Sequence, residues 1–145
     1  MAANELMISP AEWQVMRVVW TRGDVTSTEL THLLADSTGW QAATVKTLLR
    51  RLVKKGFVTT TRQGRAFHYR PLVDERATME KAADQLFDSL CAHQNGPTIA
   101  EVIKHVELST NDIDQIEKVL DKKRKKAPAV VNCNCVGCDH QADAS

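Results

Sequence analysis

Residues 41–70 contain Lys46, Arg50, Arg51, Lys54, Lys55, Arg62, Arg65 and Arg70 and no Asp or Glu. Within that stretch Val45, Leu48, Leu49, Leu52 and Val53 recur at i, i+3, i+4, i+7 and i+8. This is the spacing of a helix from about Gln41 to Lys55 that buries one stripe and shows its bases on the other. Gly56 ends it. Two runs rich in β-branched and aromatic residues follow, Phe57–Arg62 and Ala66–Arg70, around a turn at Gln63-Gly64-Arg65, with Pro71 closing the second. The segment is +8 in a chain whose formal total is +1, so the remainder is −7. A block so one-sided reads as a surface for a polyanion.

Two helix starts precede it. Ser9-Pro10-Ala11-Glu12 places Ser at the cap, Pro at the first helical position and Glu where it completes a capping box. Trp13, Met16, Val19 and Trp20 then mark one face, and Thr21-Arg22-Gly23-Asp24 breaks the helix. Thr26-Ser27-Thr28-Glu29 opens a second helix, with Leu30, Leu33 and Leu34 turned inward. Three helices and a basic hairpin, in that order, predict a winged helix-turn-helix that binds duplex DNA. The third helix would present Gln41, Ala43, Thr44 and Thr47 to base edges. Lys46, Arg50 and Arg51, with Arg62 and Arg65 of the wing, would meet phosphates and so set affinity and register. Tyr69 either donates to a phosphate or packs under the wing. Trp13, Trp20 and Trp40 are expected in or beside the core, Trp40 also at the entrance to the recognition helix.

After Pro71 the chain turns acidic, with ten acids against four bases over residues 71–120. Met79, Ala83, Leu86 and Leu90 repeat with coiled-coil spacing. Gly96-Pro97 is expected to break the chain. Thr98 with Glu101, and Ser109 with Asp112, would begin two further helices, striped by Ile99, Val102, Ile103 and Val106 and by Ile113, Ile116 and Leu120. Such stripes either extend the chain's own core or form a two-fold dimer module. The dimer is preferred, because it doubles the DNA contacts and spaces two recognition helices by about 34 Å. Lys122–Lys126 reads as a solvated helix end favoured by the helix dipole, with contact to flanking phosphate as the alternative.

The tail holds Cys133-Asn134-Cys135-Val136-Gly137-Cys138-Asp139-His140, three of the four cysteines and one of the five histidines. Cys133, Cys135, Cys138 and His140 are candidate metal ligands, three thiolates and an imidazole, enough for tetrahedral zinc. Thiolates select Zn(II) and Cu(I). Cys91, after Leu90, reads as a small buried hydrophobe, with membership of the metal site as the alternative, and His32, His68, His93 and His105 as structural or solvated. With 145 residues and 16.2 kDa, the chain divides into a winged-helix domain (1–71), a helical dimerisation module (72–127) and a flexible metal-sensing tail (128–145), mainly α with a small β wing. No apolar run suits a membrane span, and Met1–Pro10 lacks the marks of a signal peptide. A cytoplasmic location is therefore expected, where clustered cysteines serve metals or redox chemistry rather than disulfide frameworks.

The strings Glu12-Trp13-Gln14-Val15-Met16-Arg17-Val18-Val19-Trp20 and Thr44-Val45-Lys46-Thr47-Leu48-Leu49-Arg50-Arg51-Leu52-Val53-Lys54-Lys55-Gly56, with Gly64-Arg65 and Tyr69-Arg70-Pro71, resemble the penicillinase-repressor (BlaI/MecI) family over residues 8–126. The cysteine tail resembles its copper-responsive branch, the CopY repressors. That resemblance implies a homodimer on an inverted-repeat operator carrying TACA/TGTA, Zn(II) in the repressing form, Cu(I) as inducer, control of copper-homeostasis genes, and a copper donor protein as a further partner. Two departures stand out. The branch ends in two Cys-x-Cys pairs four residues apart, whereas here Cys133-x-Cys135 and Cys138-x-His140 are two apart. Lys104-His105 occupies the place of the Asn-Phe pair at which antibiotic-responsive members are cleaved, which argues against that regulation.

Two other functions compete. A thiol oxidoreductase or copper carrier would want a Cys-x-x-Cys at a helix start and a βαβ pattern, and neither is present, so no enzyme is expected. An operator-binding repressor of the penicillinase-repressor type, answering another signal and carrying a non-sensing tail, is the closer rival.

Overall fold

The computed structural model describes residues 7–137. It divides between Ala82 and Ala83 into two compact units. The first is a winged helix: α1 (Pro10–Arg22), β1 (Val25–Thr26), α2 (Ser27–Thr38), α3 (Ala42–Lys54), β2 (Val58–Gln63) and β3 (Ala66–Pro71). Both expected capping boxes form, Ser9 with Glu12 on α1 and Thr26 with Glu29 on α2. Gly23 and Gly39 close these helices at φ 74° and 68°, in the half of conformational space that glycine enters without a Cβ penalty.

The sheet has three strands where the hairpin alone predicts two. Its order is β1-β3-β2, all antiparallel, with Val25 opposite Tyr69, Thr26 opposite His68, and Thr60 opposite Tyr69 on the other side. Two residues cannot show a strand period, and Thr26 also caps α2, so β1 is legible only from its partner. Gly64-Arg65 forms the two-residue hairpin loop.

One core holds this unit together. Val15, Met16 and Val19 of α1, Leu30 and Leu34 of α2, and Val45, Leu48, Leu49 and Leu52 of α3 meet Val25 and Val58 of the sheet, and all are buried. Fully burying each such side chain stabilises by about 1.5–3 kcal/mol. The expected stripe of α3 is therefore the anchor that fixes its outer face. Leu33, expected inward, is 51% exposed, because its neighbours Leu30 and Leu34 already take the inner face of α2. Trp20 and Trp40 pack against the core edge, and the Trp20 Nε1–H donates to the Val73 carbonyl at 2.9 Å. Trp13 and Trp20 stack tilted, 5.8 Å between ring centres.

Beyond the wing, α4 (Glu75–Asp88) leads to a short 3₁₀ turn at Ala92–Gln94, then α5 (Asn95–His105) and α6 (Thr110–Arg124). The Ser109–Asp112 capping box forms on α6. Gly96-Pro97 does not break the chain. It lies in the first turn of α5, where a missing proline N–H costs no helical hydrogen bond, so α5 starts before Thr98 and its cap residue, Gln94, makes no side-chain hydrogen bond. Glu101 instead meets Lys104 and His105. Leu90 falls past the end of α4. No residue of α4, α5 or α6 is buried, and Met79, Leu86, Ile99, Val102, Ile103, Ile113 and Leu120 are all exposed. No helix among the described residues is long and apolar enough to cross a membrane.

Candidate functional site

Two sites stand out, one in each unit. On α3 the buried stripe turns Gln41, Ala43, Thr44, Lys46, Thr47, Arg50 and Arg51 outward, and all seven are exposed. Gln41, the helix cap, makes no side-chain capping bond, so its amide is available to a ligand. Thr47 spends its hydroxyl proton on the Ala43 carbonyl at 2.9 Å and therefore offers outward a methyl group and lone pairs only.

Lys46 and Arg50 line an open depression of ≈ 250 Å³ together with Ser27, Val53, Thr60 and Tyr69, so the helix and the wing share one basic concavity. Tyr69 packs against the core, as one of its two expected roles requires, and also lines this depression. On the wing, Arg62 donates from Nε to the Gly64 carbonyl at 3.1 Å and lies over the Phe67 ring, which steers it toward the hairpin tip beside exposed Arg65.

Two of the eight basic residues are structural. Lys55 is bound to Glu12 at 2.7 and 2.9 Å and to the Met7 carbonyl at 2.8 Å. Arg70 pairs with Asp24, which also meets His68 Nδ1 at 2.7 Å. Among the described residues no acid pairs with the other six. Burial by itself would raise the Glu12 carboxyl, but the hydrogen bonds from Lys55 and Ser9 outweigh it and hold the group below its ordinary value. Hydrogen bonds from His68 and then Arg70 lower Asp24.

The second site is a thiol cluster. Cys91, Cys133 and Cys135 bring their Sγ atoms within 4.8 Å of one another, with Cys91 and Cys133 at 3.3 Å. The expectation that Cys91 is a packed hydrophobe is thereby corrected: it joins the tail thiols, brought there by contacts between segments far apart in sequence. Cys133 is the buried member at 6% exposure, and the Cys135 N–H donates to its sulfur at 3.3 Å. The Ala92 N–H donates to Asn134 Oδ1 at 2.9 Å, and His93 Nδ1 lies 2.8 Å from the Val131 carbonyl. His93, expected to be solvated or structural, thus helps seat the tail. Hydrogen bonding from Cys133 and Cys135 holds the Cys91 thiol below its usual range. Cys138 and His140 lie outside the described residues.

Three soft donors in one place suit a thiophilic ion by donor type. Zn–S bonds of ~2.3 Å place tetrahedral sulfurs ~3.8 Å apart, so the cluster needs adjustments below about 1 Å to close on an ion.

The fold and the basic α3–wing face define a winged-helix DNA-binding protein. The penicillinase-repressor family model matches residues 8–122, and the chain belongs to that family. It is a transcriptional repressor rather than an enzyme. An uncharacterised 16.5 kDa protein from the ptsI 3′ region of Latilactobacillus sakei is 44% identical over 136 residues, 94% of this chain and 93% of that one. The penicillinase repressor of Bacillus licheniformis is 29% identical over 121 residues, 82% and 94% of the two chains. Among solved structures, the CopR repressor is 46% identical over 47% of this chain and 99% of its own, with a TM-score of 0.41.

Proposed function

We propose that the chain is a copper-responsive repressor that binds an inverted-repeat operator as a homodimer, zinc-loaded, and is released when Cu(I) displaces the zinc. The observation that carries the copper half is the gathering of three thiols at one point. A fortuitously cysteine-rich tail has no reason to meet Cys91 or to be stitched to residues 91–93 by hydrogen bonds. The donors would come from Cys133 and Cys135, with Cys138 and His140 beyond them.

When bound, the ion supplies a geometric constraint on the thiolates: Zn(II) asks for four ligands, Cu(I) accepts two or three. The chain does the rest. Gln41, Ala43, Thr44 and Thr47 face the base edges, and Lys46, Arg50, Arg51, Arg62, Arg65 and Tyr69 face the backbone of the operator. The exposed stripes of α4, α5 and α6 are the faces a second copy would cover, since the single chain buries none of them. In this reading residues 1–71 bind DNA, 72–127 dimerise and 128–145 sense. Moving operator occupancy from 99:1 to 1:99 takes about 5.5 kcal/mol of differential binding, well within the reach of thiolate ligation.

The test is the double variant Cys133→Ser, Cys135→Ser. It should leave operator binding measurable, though weaker, and lose the response to Cu(I). A full response in that variant would leave a repressor whose tail does not sense copper.

A further inference from the structure

We infer that the metal site is built from two chain segments 42 residues apart, with Cys91 ligating beside Cys133 and Cys135. The inference rests on the reading of the tail as a metal site and names the ligand that the tail's own motif omits.

Three observations support it. The first is proximity: the three Sγ atoms lie within 4.8 Å of one another. The second is orientation. Cys91 stands in extended backbone, φ −63° and ψ 121°, at the head of the 3₁₀ turn, and the two residues after it hold the tail through Asn134 and the Val131 carbonyl. The third is second-sphere chemistry. The Cys135 N–H on the Cys133 sulfur is the kind of hydrogen bond that steadies a thiolate ligand.

This changes what ligation does. A tail-only set of Cys133, Cys135, Cys138 and His140 closes a loop of eight residues. A set that includes Cys91 closes a loop through α5 and α6, tying the tail to the segment that follows α4. Metal binding then restrains the helices that a second copy would cover, and the free energy of ligation becomes stability of that unit. The set offers three sulfurs, the number that Cu(I) accepts.

The test uses the full chain, reduced and anaerobic. Co(II) titration reads the sulfur-to-metal charge-transfer band, whose intensity scales with the number of thiolates. Cys91→Ser should lose one thiolate's share of that band and weaken affinity by at least about tenfold. Zn(II) should raise the melting temperature of the parent chain and raise it much less in Cys91→Ser. A second measurement needs no substitution: Zn(II) should protect Cys91 of the parent chain from iodoacetamide, read by peptide mass. An unchanged band and affinity in Cys91→Ser, together with alkylation of Cys91 indifferent to zinc, would overturn the inference and leave a tail-only site. A normal band in a protein whose operator binding ignores Cu(I) would instead sink the sensor reading and leave this site standing. No thiolate band in the parent chain would remove both.

Discussion

Lys55, one residue past the end of α3, reaches back to the N-terminus of α1 and holds the buried carboxylate of Glu12 at 2.7 Å. Glu12 is 2% exposed and simultaneously completes the capping box with Ser9. A residue of the basic block therefore ties the end of α3 to α1 instead of facing outward.

Lys55→Ala should cost on the order of 3 kcal/mol, because it strands a buried charge, and urea unfolding reads it directly. A cost below about 0.5 kcal/mol would show that the pair is solvated. The folded-state pKa of Glu12 is lowered relative to the unfolded chain, so its contribution is fully present above the unfolded value of about 4.3. It is lost as pH falls through the folded value. The parent chain should lose stability on acidification through that window, and Glu12→Gln should flatten the slope.

Phosphate contacts reveal themselves through salt. Lys46→Ala, Arg50→Ala and Arg65→Ala should each reduce the slope of log affinity against log salt by roughly one unit, uniformly across sequences. Arg70→Ala should leave the slope unchanged, since its charge is already met by Asp24. A full unit lost in Arg70→Ala would show that the Asp24 pair opens on DNA.

Thr47 distinguishes methyl from hydroxyl readout. Its proton is committed to Ala43, so Thr47→Val should keep operator preference within about 0.5 kcal/mol, whereas Thr47→Ser should relax it by about 1 kcal/mol or more. Competition binding with single-base operator variants gives the answer. The reverse order would assign the contact to the oxygen.

The stripes of α5 and α6 are exposed at 40% for Ile103 and 51% for Leu120. Ile103→Glu with Leu120→Glu should leave the winged helix folded and yield a monomer in sedimentation velocity, with operator affinity falling at least about tenfold as the second half-site contact is lost. A dimer that survives both charges would place the interface elsewhere.

What could be read from sequence follows the range of the forces involved. Capping boxes act over three residues, and those at Ser9, Thr26 and Ser109 form as their spacing predicts. The α3 stripe is likewise local, and it fixes which side chains face out. The winged-helix class follows from the order of these elements. Most of the features missed are non-local. β1 exists because Val25 finds Tyr69, Lys55 and Arg70 leave the ligand face because Glu12 and Asp24 are near in space, and Cys91 reaches Cys133 across 42 residues. Spacing carries no trace of such pairs. The local misreadings are Gly96-Pro97, expected as a breaker where the first turn of a helix accepts proline, Leu33, expected inward but exposed, and Leu90, which lies past α4.

Copper-dependent release from the operator is most directly read by fluorescence anisotropy of a labelled TACA/TGTA inverted-repeat duplex, bound by the zinc-loaded protein and titrated anaerobically with Cu(I). Anisotropy should fall to the free-duplex value within a few equivalents. Tight binding that Cu(I) leaves unmoved would keep the winged-helix repressor and remove the sensor.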